Sequence, residues 1–216
     1  MYRTFSPRIE DRPVYAIADL EALGSVRFLE AVDGMVKAGV RWIQLRAKKA
    51  SGAQLFHLAR DCYQRLQGHS CGLWLDDRVD LAALLPVEGV HLGQQDLPPA
   101  AARELLGPQV AIGLSTHSHR QVEEAAENPH VDVVAIGPVF PTVSKLNPEP
   151  TVGLQLIREA RQLTSKPIVA IGGLSENNLC SVLAAGADSA AFLGAVCHGD
   201  VGVRCKSLLR RAKDCP

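Results

Sequence analysis

No sign of charge dominates this sequence. Lys plus Arg and Asp plus Glu each number 23, so the formal net charge is zero. That argues against a broad nucleic-acid footprint, while leaving room for a local basic pocket. No apolar run is long enough to cross a membrane. The opening residues, MYRTFSPRIEDRP, mix both charge signs and lack an apolar centre, so they do not read as a signal peptide. The six cysteines (Cys62, Cys71, Cys180, Cys197, Cys205, Cys215) contain no C-x-x-C pair. Without ligand spacing a zinc site is disfavoured. Without an export signal the cysteines are expected to be mostly reduced thiols in a cytoplasmic protein. No G-x-G-x-x-G follows the first apolar run, which speaks against a dinucleotide fold.

What the chain does have is a repeating unit. Apolar residues make up 47% of its 216 positions. Many fall in eight short runs: VYAIAD, GVRWIQLRAKK, GLWLDD, GVHLG, QVAIGLS, VDVVAIGPVF, PIVAIGG and SAAFLGAV. A stretch of helical spacing follows each one, for example Val26, Leu29, Val32 and Val36 between Ser25 and Ala38, ended by Gly39. Near-continuous apolar runs suit strands buried on both faces of a parallel sheet. Eight strand–helix units predict an α/β fold, a single (β/α)8 TIM barrel over 14–216, with residues 1–13 as an N-terminal arm. An open doubly wound sheet is the fallback.

In such a barrel the active site gathers at the C-terminal ends of the strands. The stretch Leu73 to Asp96 carries two successive tips that end in acid, Asp76-Asp77 and Gln94-Gln95-Asp96. Two carboxylates on neighbouring tips, completed by phosphate oxygens, suit Mg²⁺. In the alternative reading Asp76, Asp77 and Asp80 cap the next helix and pair with Arg78. In Gln44 to Lys48 the alternation of a strand puts Gln44, Arg46 and Lys48 on one side and Leu45 and Ala47 on the other. That makes a phosphate-binding comb or a solvated strand end. The proline-flanked loop with Thr142, Ser144 and Lys145 could close over a phosphate. Gly172-Gly173 and Gly194 bring small residues to where barrels commonly bind phosphate through backbone N–H groups. His91 sits mid-strand and is expected in the core. His117, just past the Ser115 tip, is a candidate acid or base. Trp42 and Trp74 are expected to pack in the core rather than stack on a ligand.

Taken together, QLRAK, LDDRVDLA, GVHLGQQD, GLSTHS, GPVFPTVSK, AIGG and the G-A-D-S-A-A-F-L-G-A run resemble the thiamine-phosphate synthase family, which includes the related thiazole tautomerases. The resemblance runs from about Val14 to Val196. It implies a transferase of thiamine biosynthesis that joins 4-amino-2-methyl-5-hydroxymethylpyrimidine diphosphate to a thiazole phosphate. Pyrophosphate leaves through a dissociative step. By this resemblance Asp77 and Asp96 hold Mg²⁺. Gln44, Arg46, Lys48, Ser115 and Lys145 hold the pyrimidine diphosphate with Asp76 beside them, and Arg46, Ser115 and Lys145 act on the leaving group. Thr142 and Ser144, with backbone at Gly172, Gly173, Leu193 and Gly194, receive the thiazole phosphate. The implied partners are these small molecules, with neither nucleic acid nor membrane, and a homo-oligomer is compatible with them.

Three positions depart from the family pattern: Ala47 replaces a glutamate, Asp76 an asparagine and Gly194 a serine. Two other readings share the fold. In a thiazole tautomerase His117 would be the general acid–base. A non-catalytic barrel would bind thiazole or thiamine phosphate to regulate a partner. Retention of Asp77, Asp96 and Lys145 favours the synthase.

Overall fold

The structure, a computed structural model, describes residues 12–142 and 149–215. Eight parallel strands close into a barrel in chain order. They are β1 (Val14–Asp19), β2 (Trp42–Arg46), β3 (Gly72–Asp76), β4 (Gly89–Leu92), β5 (Ala111–Thr116), β6 (Val133–Ile136), β7 (Ile168–Ile171) and β8 (Ser189–Phe192), and β8 pairs back onto β1. Helices α1 (Leu20–Leu23) and α2 (Ser25–Ala38) follow β1, and α3 (Gly52–Leu66), α4 (Val79–Ala82), α5 (Pro99–Leu106) and α6 (His119–Glu127) follow the next four strands. Then come α7 (Gly153–Leu163), α8 (Leu179–Ala184), α9 (Gly194–Cys197) and α10 (Val201–Lys213). The TIM barrel expected from the eight apolar runs is therefore the fold.

Local chemistry explains the clearest boundaries. In α2 a face of Phe28, Ala31, Val32, Met35 and Val36 is buried, and Gly39 ends it at φ +95°, a left-handed turn that glycine adopts without steric cost. In α3 the start is a reciprocal cap: Ser51 Oγ accepts from Gln54 N, and the Gln54 side chain accepts from Ser51 N. Other boundaries differ from the sequence reading. The eighth apolar run does not stay extended to Val196: β8 ends at Phe192 and the chain turns into α9. Helix α8 starts at Leu179, with Asn178 at the cap position.

Two layers of core hold the barrel. The larger lies between strands and helices; the smaller fills the lumen. In the lumen Tyr15 stacks on Trp42 with centroids 4.1 Å apart, and Trp42 lies 5.1 Å from Trp74. Both tryptophans are core residues, as expected. The aromatic block leans across the lumen onto β4 and β5, where only glycine fits. A Cβ on Gly89 would meet the Trp74 ring at 2.5 Å, and one on Gly113 would meet it at 3.1 Å. This block fills the lower lumen, which leaves the chemistry to the upper rim.

The N-terminal face is tied by acids that immediately precede β4, β6 and β8. Asp132, before β6, accepts from Ile112 N at 2.8 Å and pairs with Arg103 at 2.5 Å. Asp188, before β8, accepts from Ile168 N at 2.7 Å and pairs with Arg161 at 2.9 Å. Glu88, before β4, pairs with Arg12 at 2.6 Å and accepts from Trp74 Nε1 at 3.1 Å.

One expectation is corrected here. Cys180 and Cys215 form a disulfide, because α8 and the end of α10 bring their Cα atoms to 5.1 Å despite a sequence separation of 35. The other four cysteines are free thiols.

Candidate active site

The upper rim carries a continuous row of charges across β1 to β4. Asp19 ends β1 and caps α1, accepting from Ala22 N at 2.8 Å. Its register partner on β2 is Arg46, whose guanidinium pairs with the Asp19 carboxylate. The other side of Arg46 faces Asp76, with Nε 3.4 Å from Oδ2. Lys48 Nζ lies 3.1 Å from the same Asp76 oxygen and pairs with Asp77. Beyond Asp77 stands Asp96, whose Oδ2 accepts from Gly93 N at 2.7 Å. Below this row Gln44 donates to the Tyr15 hydroxyl at 2.9 Å, and both are buried. The alternation inferred for this strand holds: Leu45 and Ala47 pack into the outer core while Gln44, Arg46 and Lys48 meet lumen and rim groups.

The capping alternative does not describe these acids. Helix α4 has Arg78 at its cap position and no side-chain cap bond, and α5 starts after Pro98, also without one. Only Asp80 takes Arg78, at 2.6 Å. Asp77 adopts φ +61°, a conformation unusual outside glycine that aspartate tolerates best with asparagine. Its N–H donates to His91 O at 2.8 Å, so the turn is pinned to the neighbouring strand.

Electrostatics mark the row as unbalanced. Asp19, Asp76, Asp77 and Asp96 face two cations, Arg46 and Lys48. Burial pushes the Asp76 carboxyl above the usual range, and Lys48 and Arg46 oppose that rise. Partial burial also raises Asp96, against the Gly93 N–H, and the adjoining Asp77 carboxylate adds to the rise. Burial alone would lower Lys48, but Asp76 and Asp77 raise it. Asp96, raised in part by an adjoining carboxylate, forms with Asp77 a donor set that fits a hard divalent cation. Among the described residues no group of three or more His, Cys, Asp or Glu could ligate a metal, so other oxygens would have to complete such a shell.

The sequence reading placed His91 in the core and stopped there. The residue is buried, but its Nε2 lies 2.8 Å from Ser115 Oγ, which joins β4 to the β5 tip. Gln94 Nε2 also donates to Ser115 O at 2.6 Å. His117 Nδ1 lies 2.5 Å from Gly137 O. A carbonyl only accepts, so Nδ1 is the donor in this contact. The Tyr15–Gln44 and His91–Ser115 contacts join different strands, and the inward alternation of each strand was the signal for them.

Across the rim the chain from Gly137 to Thr142 lies on the β7 tip. Phe140 N donates to Gly172 O at 3.1 Å. Gly172 and Gly173 have φ of +93° and +65°, and Cβ atoms there would stand 2.5 Å from Pro138 Cα and Pro141 O. Glycine is thus required by conformation and by close approach. Thr142 is half-buried at the end of this described stretch, whereas Ser144 and Lys145 lie outside the described residues. Leu193 and Gly194 open α9 and line a cleft of ≈ 410 Å³ with Asp19, Arg46, Lys48 and His198.

Comparison with known proteins agrees with this geometry. Residues 14–196 match the family profile described as Thiamine monophosphate synthase. A thiamine-phosphate synthase of Koribacter versatilis is 42% identical over 184 residues, covering 83% of this chain and 86% of that protein. One of Syntrophomonas wolfei is 37% identical over 186 residues, covering 86% and 88%. The solved structure of a thiamine phosphate pyrophosphorylase from Pyrococcus furiosus superposes with a TM-score of 0.85 at 28% identity, covering 95% of this chain and 98% of that one. The chain belongs to the thiamine monophosphate synthase family.

Proposed function

We infer that this chain is a thiamine-phosphate synthase, a transferase that joins a pyrimidine diphosphate to a thiazole phosphate and releases pyrophosphate. The observation that supports it most is the row Arg46–Asp76–Lys48–Asp77–Asp96 on the barrel rim, in a chain of this family. Arg46 and Lys48 grip the diphosphate, Arg46 through its planar fork and Lys48 as a mobile point charge. Ser115, oriented by His91, donates to a phosphate oxygen or to the pyrimidine beside it. Asp77 and Asp96 would hold Mg²⁺, which would supply positive charge against the departing pyrophosphate. No protein nucleophile is required. The pyrimidine–oxygen bond breaks first, and the thiazole nitrogen attacks the resulting cation.

The remaining task of the chain is orientation, which alone can supply a large part of the rate. In this reading Gly172, Gly173, Leu193, Gly194, Thr142 and Ser144 receive the thiazole phosphate, and Lys145 joins the groups that hold the pyrimidine diphosphate. We extend the proposal to a cytoplasmic location, since substrates carrying this much phosphate charge do not cross a bilayer unaided.

The test is thiamine phosphate formation from the two substrates, with and without Mg²⁺, in wild type and Asp96→Ala. Mg²⁺-dependent product that drops by more than about 100-fold in the variant, roughly 3 kcal/mol at the transition state, is expected. Absence of product from the intact enzyme, with isomerisation of a carboxylated thiazole phosphate instead, would move the chain to the tautomerase branch.

A further inference from the structure

The Asp76 carboxylate has no structural duty that accounts for its position. It caps no helix, and among the described residues no backbone N–H meets its buried oxygen. Its side chain is 11% exposed, and that buried oxygen faces Arg46 Nε at 3.4 Å and Lys48 Nζ at 3.1 Å. Each of those cations already has another carboxylate, Asp19 for Arg46 and Asp77 for Lys48. Asp76 is therefore a third anion between two cations that are already paired.

We propose that Asp76 is a built-in competitor for the diphosphate, holding Arg46 and Lys48 when no phosphate does and weakening the enzyme's hold on pyrophosphate. This rests on the synthase reading of the comb. An incoming phosphate oxygen must displace Asp76 from both cations, and after bond cleavage Asp76 returns as the product leaves. A residue that only braced the cations would have the opposite effect, because its removal would loosen the comb and weaken anion binding. The sign of the change therefore separates the two roles.

The experiment titrates inorganic pyrophosphate calorimetrically into wild type, Asp76→Asn and Asp76→Ser, in Mg²⁺ and separately in EDTA. Melting temperatures are taken on the same samples. Asp76→Asn is expected to bind pyrophosphate about tenfold more tightly, with product inhibition strengthened in proportion and the KM for the thiazole phosphate unchanged. Asp76→Ser gives the same sign should the asparagine variant fold poorly. Equal or weaker binding in a variant with wild-type melting overturns the proposal, as does failure of every form to bind pyrophosphate. Thiamine phosphate formation by wild type is scored separately. Product together with unaltered pyrophosphate affinity rejects the competitor and keeps the synthase. No product together with tightened pyrophosphate binding rejects the synthase and keeps the competition.

Discussion

Removing Asp132 from the N-terminal face should lower stability without touching activity. One oxygen of Asp132 both accepts from Ile112 N at 2.8 Å and meets Arg103 Nη2 at 2.5 Å. Ile112 is fully buried in β5, so Asp132→Ala strands its N–H, at a cost of about 1–3 kcal/mol. The ion pair adds little beyond that. Asp132 is 31% exposed, and Arg103 keeps bonds to the carbonyls of Gly107, Val110 and His130. About 2 kcal/mol in total is expected, which for a chain of this size lowers the melting temperature by roughly 4–8 °C. Asp132→Asn keeps an acceptor for Ile112 and loses only the charge, so its drop should be well under half as large. Scanning calorimetry and the synthase assay at 25 °C measure both halves of the claim. A melting temperature unchanged in Asp132→Ala, or a several-fold loss of activity well below the transition, would refute the division between a stabilising lower face and a reactive upper one.

Gly89→Ala should be more damaging than its size suggests. The added methyl meets a Trp74 ring fixed between Trp42 and the Glu88 carboxylate, and overpacking of this kind costs about 1–3 kcal/mol or more in a chemical melt. A wild-type denaturation midpoint would show that the ring yields. Stability should also fall steeply in alkali. Burial pushes the thiols of Cys62, Cys71 and Cys205 up to about 12 and that of Cys197 to about 11, from an ordinary 9.0. These groups stay protonated in the folded chain while the unfolded chain ionises. Their contribution is complete below pH 9 and is lost as pH rises toward 12, by up to about 1.4 kcal/mol per unit per thiol. Urea midpoints from pH 8 to 10.5 should decline less steeply in Cys62→Ala, and an identical decline would rule the thiol out.

The parts of the fold legible in the sequence are those where one short segment carries the whole signal. Helix α2 begins and ends where apolar spacing and glycine punctuation put it, at Ser25–Ala38. The alternation through Gln44, Arg46 and Lys48 needs only the period of a strand. What was missed depends on neighbours far along the chain. Tyr15 and Gln44 are 29 residues apart, and His91 and Ser115 are 24 apart. Nothing local distinguishes an inward histidine that meets a serine from one that meets leucine. The Cys180–Cys215 bridge likewise depends on how α10 lies against α8. The lower-face acids did leave a readable trace. Glu88, Asp132 and Asp188 each stand immediately before the apolar run of an even-numbered strand, a spacing that periodicity analysis of the runs alone passes over.

The same residue type is treated in opposite ways at the two ends of the barrel, and that contrast is what separates scaffold from site. Below, Asp132 and Asp188 each combine a backbone N–H with an arginine that pairs with no second carboxylate among the described residues. Above, Arg46 and Lys48 are shared among Asp19, Asp76 and Asp77, while Asp96 adjoins another carboxylate and is harder to ionise for it. Stability would favour neutralising one of these acids, since burying a poorly compensated charge is costly. An arrangement short of positive charge is useful only if more arrives with the ligand. In the proposed reaction a divalent cation bound to a diphosphate would bring it, and the comb would then hold phosphate oxygens in place of its own carboxylate. The imbalance at the upper rim is thus the feature that the proposed chemistry needs and that folding alone would not select.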